Sequence, residues 1–211
     1  SYGVGTVSET PEYLILDGQQ RLTSMYQAVF DDQPVRTITD KKAKIQRYYY
    51  LDMKKCLDDN EDRIEAVLSI PSDRKLKENF DRDVRLDLSD REKEYEEQCF
   101  PVNLTRRHLS LTNWCTGYVL HYAAANDPQK TAEAMAVYNK FKSDVIDTIT
   151  RYKLPVITLD KSTPREAVCK VFENVNTGGV PLTVFELVTA SYATQEFNLR
   201  EDWTKCRAAI R

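Results

Sequence analysis

Short apolar runs, punctuated by glycine and proline, alternate along this chain with stretches of helical spacing, and that pattern predicts an α/β fold. Tyr13-Leu14-Ile15-Leu16 is a continuous apolar run that stops at Asp17-Gly18, as a strand buried on both faces does. Leu22, Met25, Tyr26, Val29 and Phe30 then recur on one helical face, so the order reads strand, tight turn, helix. Arg47 to Leu51, with its three consecutive tyrosines, predicts a second strand, and Ile64 to Ile70 a third that ends at Pro71.

From Asp73 to Gln98 the pattern changes to dense, alternating charge, and Arg91-Glu92-Lys93-Glu94-Tyr95-Glu96-Glu97 reads as a solvated helix or an ordered excursion. Asp127-Pro128 supplies an N-cap and a first helical position. Tyr138, Phe141, Val145, Ile149 and Tyr152 mark the expected buried stripe of a long helix reaching about Lys153. A strand is expected over Leu154 to Leu159, with Pro155 near its start where a missing N–H is tolerated. Thr163, Pro164 and Glu166 form a capping box for a further helix, whose buried face is Val168, Val171, Phe172 and Val175. Gly178-Gly179 fits a helix stop, and Thr183 with Glu186 forms a second capping box.

Composition narrows the function classes. A net charge of −3 excludes a uniformly basic nucleic-acid binder, although Lys41, Lys42, Lys44 and Arg47 form a local basic stripe. Five scattered cysteines and two distant histidines, His108 and His121, give neither a disulfide framework nor a zinc site, and no cysteine has an activating context. No apolar stretch approaches the roughly 20 residues that cross a bilayer, and the first residues lack the charged flank and apolar core of a signal peptide. A cytoplasmic location with no membrane partner is therefore expected. The chain starts at Ser1 rather than methionine, so a processed or truncated start is expected.

The chemistry concentrates at Asp17-Gly18-Gln19-Gln20-Arg21. A turn between a buried strand and a helix presents backbone N–H groups and the positive end of the helix dipole, which together attract anions. Gly18 lets a ligand approach the backbone, Gln19 and Gln20 offer amide donors and acceptors, and Arg21 can grip phosphate with two parallel hydrogen bonds. Asp17 beside a phosphate needs a compensating cation: Arg21, or a divalent metal; otherwise it faces a hydroxyl or an activated water. The residues alone leave a second reading open, in which Asp17 caps the helix and pairs with Arg21 four positions on. Asn176-Thr177-Gly178-Gly179 is the second candidate, a polar connection between helices that also reads as a plain turn. Tyr48-Tyr49-Tyr50 reads as strand packing, with base stacking the alternative.

The two segments Tyr13–Ser24 and Val171–Leu187, with DGQQR in the first and Phe172-Glu173-Asn174-Val175-Asn176-Thr177-Gly178-Gly179 in the second, resemble the DGQQR-motif domain of GmrSD-type, modification-dependent restriction systems. The resemblance runs from about Ser1 to Ala193. It implies a ParB/sulfiredoxin-like α/β core, a mixed sheet with helices, followed by a mainly helical C-terminal part. The expected division is a core over 1–110 and a helical portion over 111–211 carrying the strand near 154–159. By position, Gly18, Gln19, Gln20 and Arg21 would bind nucleoside triphosphate, Asp17 and Arg21 would be catalytic, and Asp17 would meet Mg²⁺. Asn176, Thr177 and Gly178 would belong to the second family motif. DNA, typically modified, and a nuclease domain or subunit are the implied partners. This chain departs from the family in lacking the upstream Tyr-Gln-Arg-type motif and the His-Asn-His-type nuclease motif. Sulfiredoxin chemistry is excluded because no cysteine lies beside the turn.

The resulting expectation is an NTP-binding, NTP-hydrolysing regulatory domain of a defence protein, without nuclease activity of its own. No Walker-type glycine loop is present, so it is not a P-loop enzyme. The alternative is a modified-DNA-binding module that uses the basic and aromatic strands, with the turn touching backbone phosphate. A purely structural role for the turn and the charged middle is the third reading.

Overall fold

The computed structural model describes residues 12–13, 15, 17–39, 41–79, 82–160, 162–164, 166–168, 170–171 and 199–209. The chain divides into two compact units, one containing Gln19–Lys153 and one built from Pro11–Gly18 and Leu154–Arg211. Helices and sheets alternate through the first unit, which is mixed α/β.

Helix α1 (Gln19–Phe30) is the first described element of that unit, at the place the helical spacing predicts. Its buried residue is Gln27, whose Oε1 accepts the Arg36 backbone N–H at 3.2 Å, while Met25, Tyr26 and Phe30 stay exposed. Strand β1 (Val35–Ile38) turns through Lys42, at φ 61°, into β2 (Lys44–Asp52). Thr39 closes this turn by accepting the Ala43 N–H on Oγ1 at 3.2 Å. Asp52 then ends β2 by capping the short α2 (Met53–Leu57), accepting the Lys54 and Lys55 N–H groups.

Strand β2 is the hub of the sheet. It pairs with β3 (Val67–Pro71) from Arg47 to Leu51. Because Arg47 also pairs with Val35 of β1, and Tyr50 and Leu51 also pair with β6 (Cys99–Pro101), β1 and β6 must share the edge opposite β3. All these pairings are antiparallel. Alternation along β2 divides the core in two. Tyr50, with Ile70, Leu88 and Cys99, faces one cluster. Leu51 and Met53, with Phe100, Trp114, Tyr118, Phe141 and Ile146, face the other.

The charged middle is ordered, and it includes a helix at Arg91–Glu96, within the stretch the sequence reads as a helix or an ordered excursion. Strands β4 (Lys75–Glu78) and β5 (Asp83–Asp87) form a two-stranded sheet, with a register shift between Leu76 and Lys77. Asp90 then caps α3 (Arg91–Glu96) by accepting the Lys93 N–H at 3.0 Å. Gln98, at φ 54°, turns the chain into β6. The third strand begins at Val67 rather than Ile64, because 63–66 forms a turn.

Helix α4 (His108–Ala123) follows a 3₁₀ turn at Val102–Leu104 and carries the aromatic centre of the larger core. Trp114 and Tyr118 stack at 5.3 Å, and Phe100 meets Trp114 edge-on at 5.0 Å. Such paired aromatics add about 0.5–1.5 kcal/mol beyond the area they bury. Helix α5 (Pro128–Phe141) is capped by Asp127, as its sequence predicts. It continues through a π-helical turn (Lys142–Ile146) into α6 (Asp147–Arg151). The wider turn absorbs one extra residue, so burial passes from Phe141 to Ile146 instead of Val145, and Tyr152 ends 61% exposed.

In the second unit the strand expected over 154–159 is not formed: the segment has no ladder partner among the described residues, and Leu154, Val156 and Ile157 are exposed. Tyr13 and Ile15 are likewise exposed and outside any strand, while Leu14 and Leu16 lie outside the described residues. The helix start at Thr163-Pro164 is present, with the Val168 N–H donating to the Pro164 carbonyl at 3.1 Å. The second capping box lies outside the described residues. Helix α7 spans Leu199–Ala209.

Gly117 of α4 lies directly beneath Tyr95, and a Cβ there would come 2.9 Å from the Tyr95 Cζ. Alanine would gain up to about 1 kcal/mol of helix propensity, but the Tyr95 ring is held against Trp114 and Tyr118, and overpacking of this kind costs about 1–3 kcal/mol. Gly117→Ala is therefore expected to lower stability in chemical denaturation, and Tyr95→Phe in that background to recover part of the loss.

Candidate functional site

The Asp17–Arg21 turn has the backbone its sequence requires at one critical point. Gly18 has φ 81°, in the left-handed region, and the next residue begins α1. A side chain at that φ costs about 1–2 kcal/mol. Asp17, Gln19, Gln20 and Arg21 are solvent-exposed and Gly18 is half-buried. Helix α1 carries no acidic residue in its first turn, so nothing within that turn offsets the positive end of its dipole. The motif crosses the division of the chain: Asp17 and Gly18 belong to the second unit, and Gln19, Gln20 and Arg21 to the first. Asn176, Thr177 and Gly178 lie outside the described residues.

A separate constellation, which sequence reasoning missed, lies within the first unit. Glu94 of α3 is 1% exposed, and both its oxygens are engaged. The Trp114 Nε1–H donates to Oε2 at 3.0 Å and the Arg91 guanidinium donates to the same oxygen at 2.5 Å. The Tyr50 hydroxyl donates to Oε1 at 3.4 Å, and Arg74 approaches that oxygen at 4.0 Å. Burial pushes the Glu94 carboxyl above its ordinary value, opposed by the Arg91 charge and by hydrogen bonds from Trp114 and Arg91. Burial also raises the Tyr50 hydroxyl, as does the adjacent Glu94 charge, so Tyr50 remains a proton donor at neutral pH.

Beside this carboxylate opens a small solvent-facing cleft of about 40 Å³. Arg47, Arg74, Arg91 and Glu94 line it together with Tyr48, and α1 contributes Gln27 and Asp31. The Arg74 guanidinium sits 4.6 Å from the centre of the Tyr48 ring. The sequence held two partial signals for this site. Arg91 and Glu94 are spaced for an i,i+3 pair, and a buried tryptophan needs an acceptor for its N–H. Neither shows that Glu94, amid alternating charges, turns inward.

Other candidates do not assemble into chemistry. His121 Nδ1 lies 2.7 Å from Glu92 on the surface, and His108 begins α4. Burial pushes the Cys56 thiol up to about 11 and the Cys99 thiol up to about 12, which keeps both from acting as thiolates. Among the described residues no three His, Cys, Asp or Glu side chains gather to hold a metal ion. Lys41 and Lys42 lie in the β1–β2 turn and Lys44 starts β2, so of the basic stripe Arg47 alone lines the cleft. No helix among the described residues is long and apolar enough to cross a membrane.

Sheet, helices and motif define a mixed α/β protein with a glycine turn leading into a helix and, within the first unit, an arginine-lined cleft. Residues 3–193 match the family described as GmrSD restriction endonuclease, N-terminal domain, and the chain belongs to that family of restriction-protein domains. It is also 27% identical over 199 residues to an uncharacterized protein, MJ0686, of Methanocaldococcus jannaschii. That alignment covers 92% of this chain but 30% of the relative, so the chain spans under a third of that protein's length. No solved structure matches significantly.

The raised Glu94 carboxyl sets a pH dependence of definite sign. A carboxyl that binds its proton more tightly in the folded state contributes stability at low pH and loses it as pH rises through its folded value. The stability of the wild type minus that of Glu94→Gln, measured by denaturant unfolding at each pH, should therefore fall as pH rises above the ordinary value of 4.5. A difference that rises with pH would mean that the arginine pairing outweighs burial.

Proposed function

We propose that this chain is the nucleotide-binding, NTP-hydrolysing regulatory domain of a modification-dependent restriction protein, with its centre at Asp17–Arg21. The observation that carries the reading is the left-handed Gly18 placed immediately before a helix whose first turn has no acid, in a chain of the GmrSD N-terminal family. Chemistry then assigns the roles. Gly18 lets phosphate approach the backbone, Arg21 grips it, and Gln19 and Gln20 supply amide donors and acceptors. Asn176, Thr177 and Gly178 complete the nucleotide site in this reading.

Asp17 is the single carboxylate of the turn, a donor set that fits Mg²⁺ brought in by the triphosphate rather than a resident ion. Asp17 would hold it, and the ion would neutralise phosphate charge. Asp17 would also orient the attacking water, while Arg21 stabilises charge on the phosphate. We further assign the domain a ParB/sulfiredoxin-like core over 1–110 with a helical part over 111–211, and modified DNA and a nuclease domain as its partners, as the family's restriction role favours. DNA cleavage is assigned to that partner.

Thermal unfolding with and without each NTP and Mg²⁺ tests the reading. A ligand at 100 times its dissociation constant stabilises by about 2.7 kcal/mol, a shift that Arg21→Ala should lose. Asp17→Ala and Arg21→Ala should also abolish NTP turnover while keeping the circular dichroism of the wild type. Unchanged turnover in both variants would remove the reading.

A further inference from the structure

Helix α1 carries Gln19, Gln20 and Arg21 in its first turn and is gripped at the opposite end. From Gln19 to Ser24 none of its residues is buried. Polar contacts gather at the far end instead. Gln27 accepts the Arg36 N–H, and beyond it the helix ends on side chains from the segment that leads into α4. The Arg107 guanidinium donates to the Phe30 carbonyl at 2.7 Å through one nitrogen and to the Asp32 carboxylate through another. The Asn103 amide donates to the Asp31 carbonyl at 3.4 Å, and Arg106 lies 5.8 Å from the centre of the Phe30 ring.

The last carbonyls of a helix lack intrahelical donors and carry the negative end of its dipole. Helix α1 has no basic residue in its last turn, so Arg107 supplies both donors and charge from another element. The gripping segment has a firm base. Leu104 and Thr105 are buried, and the Thr105 hydroxyl donates to the Val102 carbonyl at 2.8 Å. Arg107 leads directly into α4, whose Trp114 and Tyr118 centre the larger core. Arg106 adds a tie to α6 by donating to the Thr150 carbonyl at 3.1 Å.

A helix of 12 residues is about 18 Å long, so a tilt of about 5° about its gripped end moves its first turn by about 1.5 Å. Displacement by about 1 Å at a reacting group costs about a hundredfold in rate. We propose that Arg107 is a positioning residue for nucleotide hydrolysis at the Asp17–Arg21 turn: by holding the C-terminal end of α1, it fixes where Arg21 stands near the other. The role rests on the nucleotide reading of that turn. Phe30 lies nine positions beyond Arg21, about 13 Å along the axis, so Arg107 acts through the helix. The first backbone N–H groups of α1 move with the helix as one piece and still meet phosphate. What a loosened helix loses is the alignment of Arg21 with the water that Asp17 orients, so kcat should fall more than KM rises.

Steady-state hydrolysis of ATP, GTP, CTP and UTP with Mg²⁺ is measured for the full chain, Arg107→Ala, Arg107→Lys and Arg21→Ala, with kcat expressed per folded molecule from circular dichroism. Hydrogen exchange of the Gln19–Phe30 amides is followed in the same proteins. Arg107→Ala should lower kcat at least about tenfold with KM within about threefold of the wild type. Its exchange should quicken in α1 but not in α4 or α5. Arg107→Lys keeps the charge but cannot span both the Phe30 carbonyl and Asp32, so its kcat should fall between the two; it carries the test should alanine unfold the protein. Unchanged kcat in the Arg107 variants, a rise in KM alone, or unchanged exchange in α1 overturns the role, while loss of turnover in Arg21→Ala keeps the nucleotide reading. A wild type that hydrolyses no nucleotide removes that reading and this role with it.

Discussion

The buried carboxylate of Glu94 ties together four parts of the first unit. Its partners come from β2 through Tyr50, from α4 through Trp114, from its own helix through Arg91 and from the start of the β4–β5 hairpin through Arg74. Removing a carboxylate from water costs several kcal/mol, and that cost is met only when its oxygens are fully hydrogen-bonded. The arrangement is accordingly strict: a shift of the hairpin, α3 or α4 would leave a charge buried without its partner. The charged middle of the chain is thereby tied to the aromatic core instead of ranging over the surface. The same constraint holds two guanidinium groups at the mouth of a cleft.

Strand β2 carries the second constraint. It pairs on both edges, and alternation sends Tyr50 to one core and Leu51 to the other, so a slip of one residue would exchange the two sets. Its paired edge is interrupted at Tyr48 and Tyr49, where two different strands meet it end to end. A continuous strand there would close the cleft. The larger core is adjusted further by the π-helical turn between α5 and α6, which brings Ile146 inward against the aromatic cluster.

Two regions of distinct chemistry thus occur in a GmrSD N-terminal domain. One is a backbone device, a left-handed glycine ahead of a helix N-terminus, and depends on few side chains. The other is a side-chain device, arginines ordered by a buried acid, and depends on four elements being in place.

Local signals were enough wherever a short stretch of chain carries its own physics. The glycine after Asp17, the Asp127-Pro128 cap, the tyrosine-rich β2 and the start of the helix at Pro164 were legible because propensity, capping and backbone sterics act over a few residues. Helix α4 carries the aromatic centre of the larger core, but no helix was read from the sequence over His108–Ala123. Tertiary structure alone decided the rest. A strand requires a ladder partner, which 154–159 lacks among the described residues, and a π-turn displaces burial by one position with no local signature. Glu94 looks like its solvated neighbours until Trp114, 20 residues away, and Tyr50, 44 residues away, supply the hydrogen bonds that let its charge leave water.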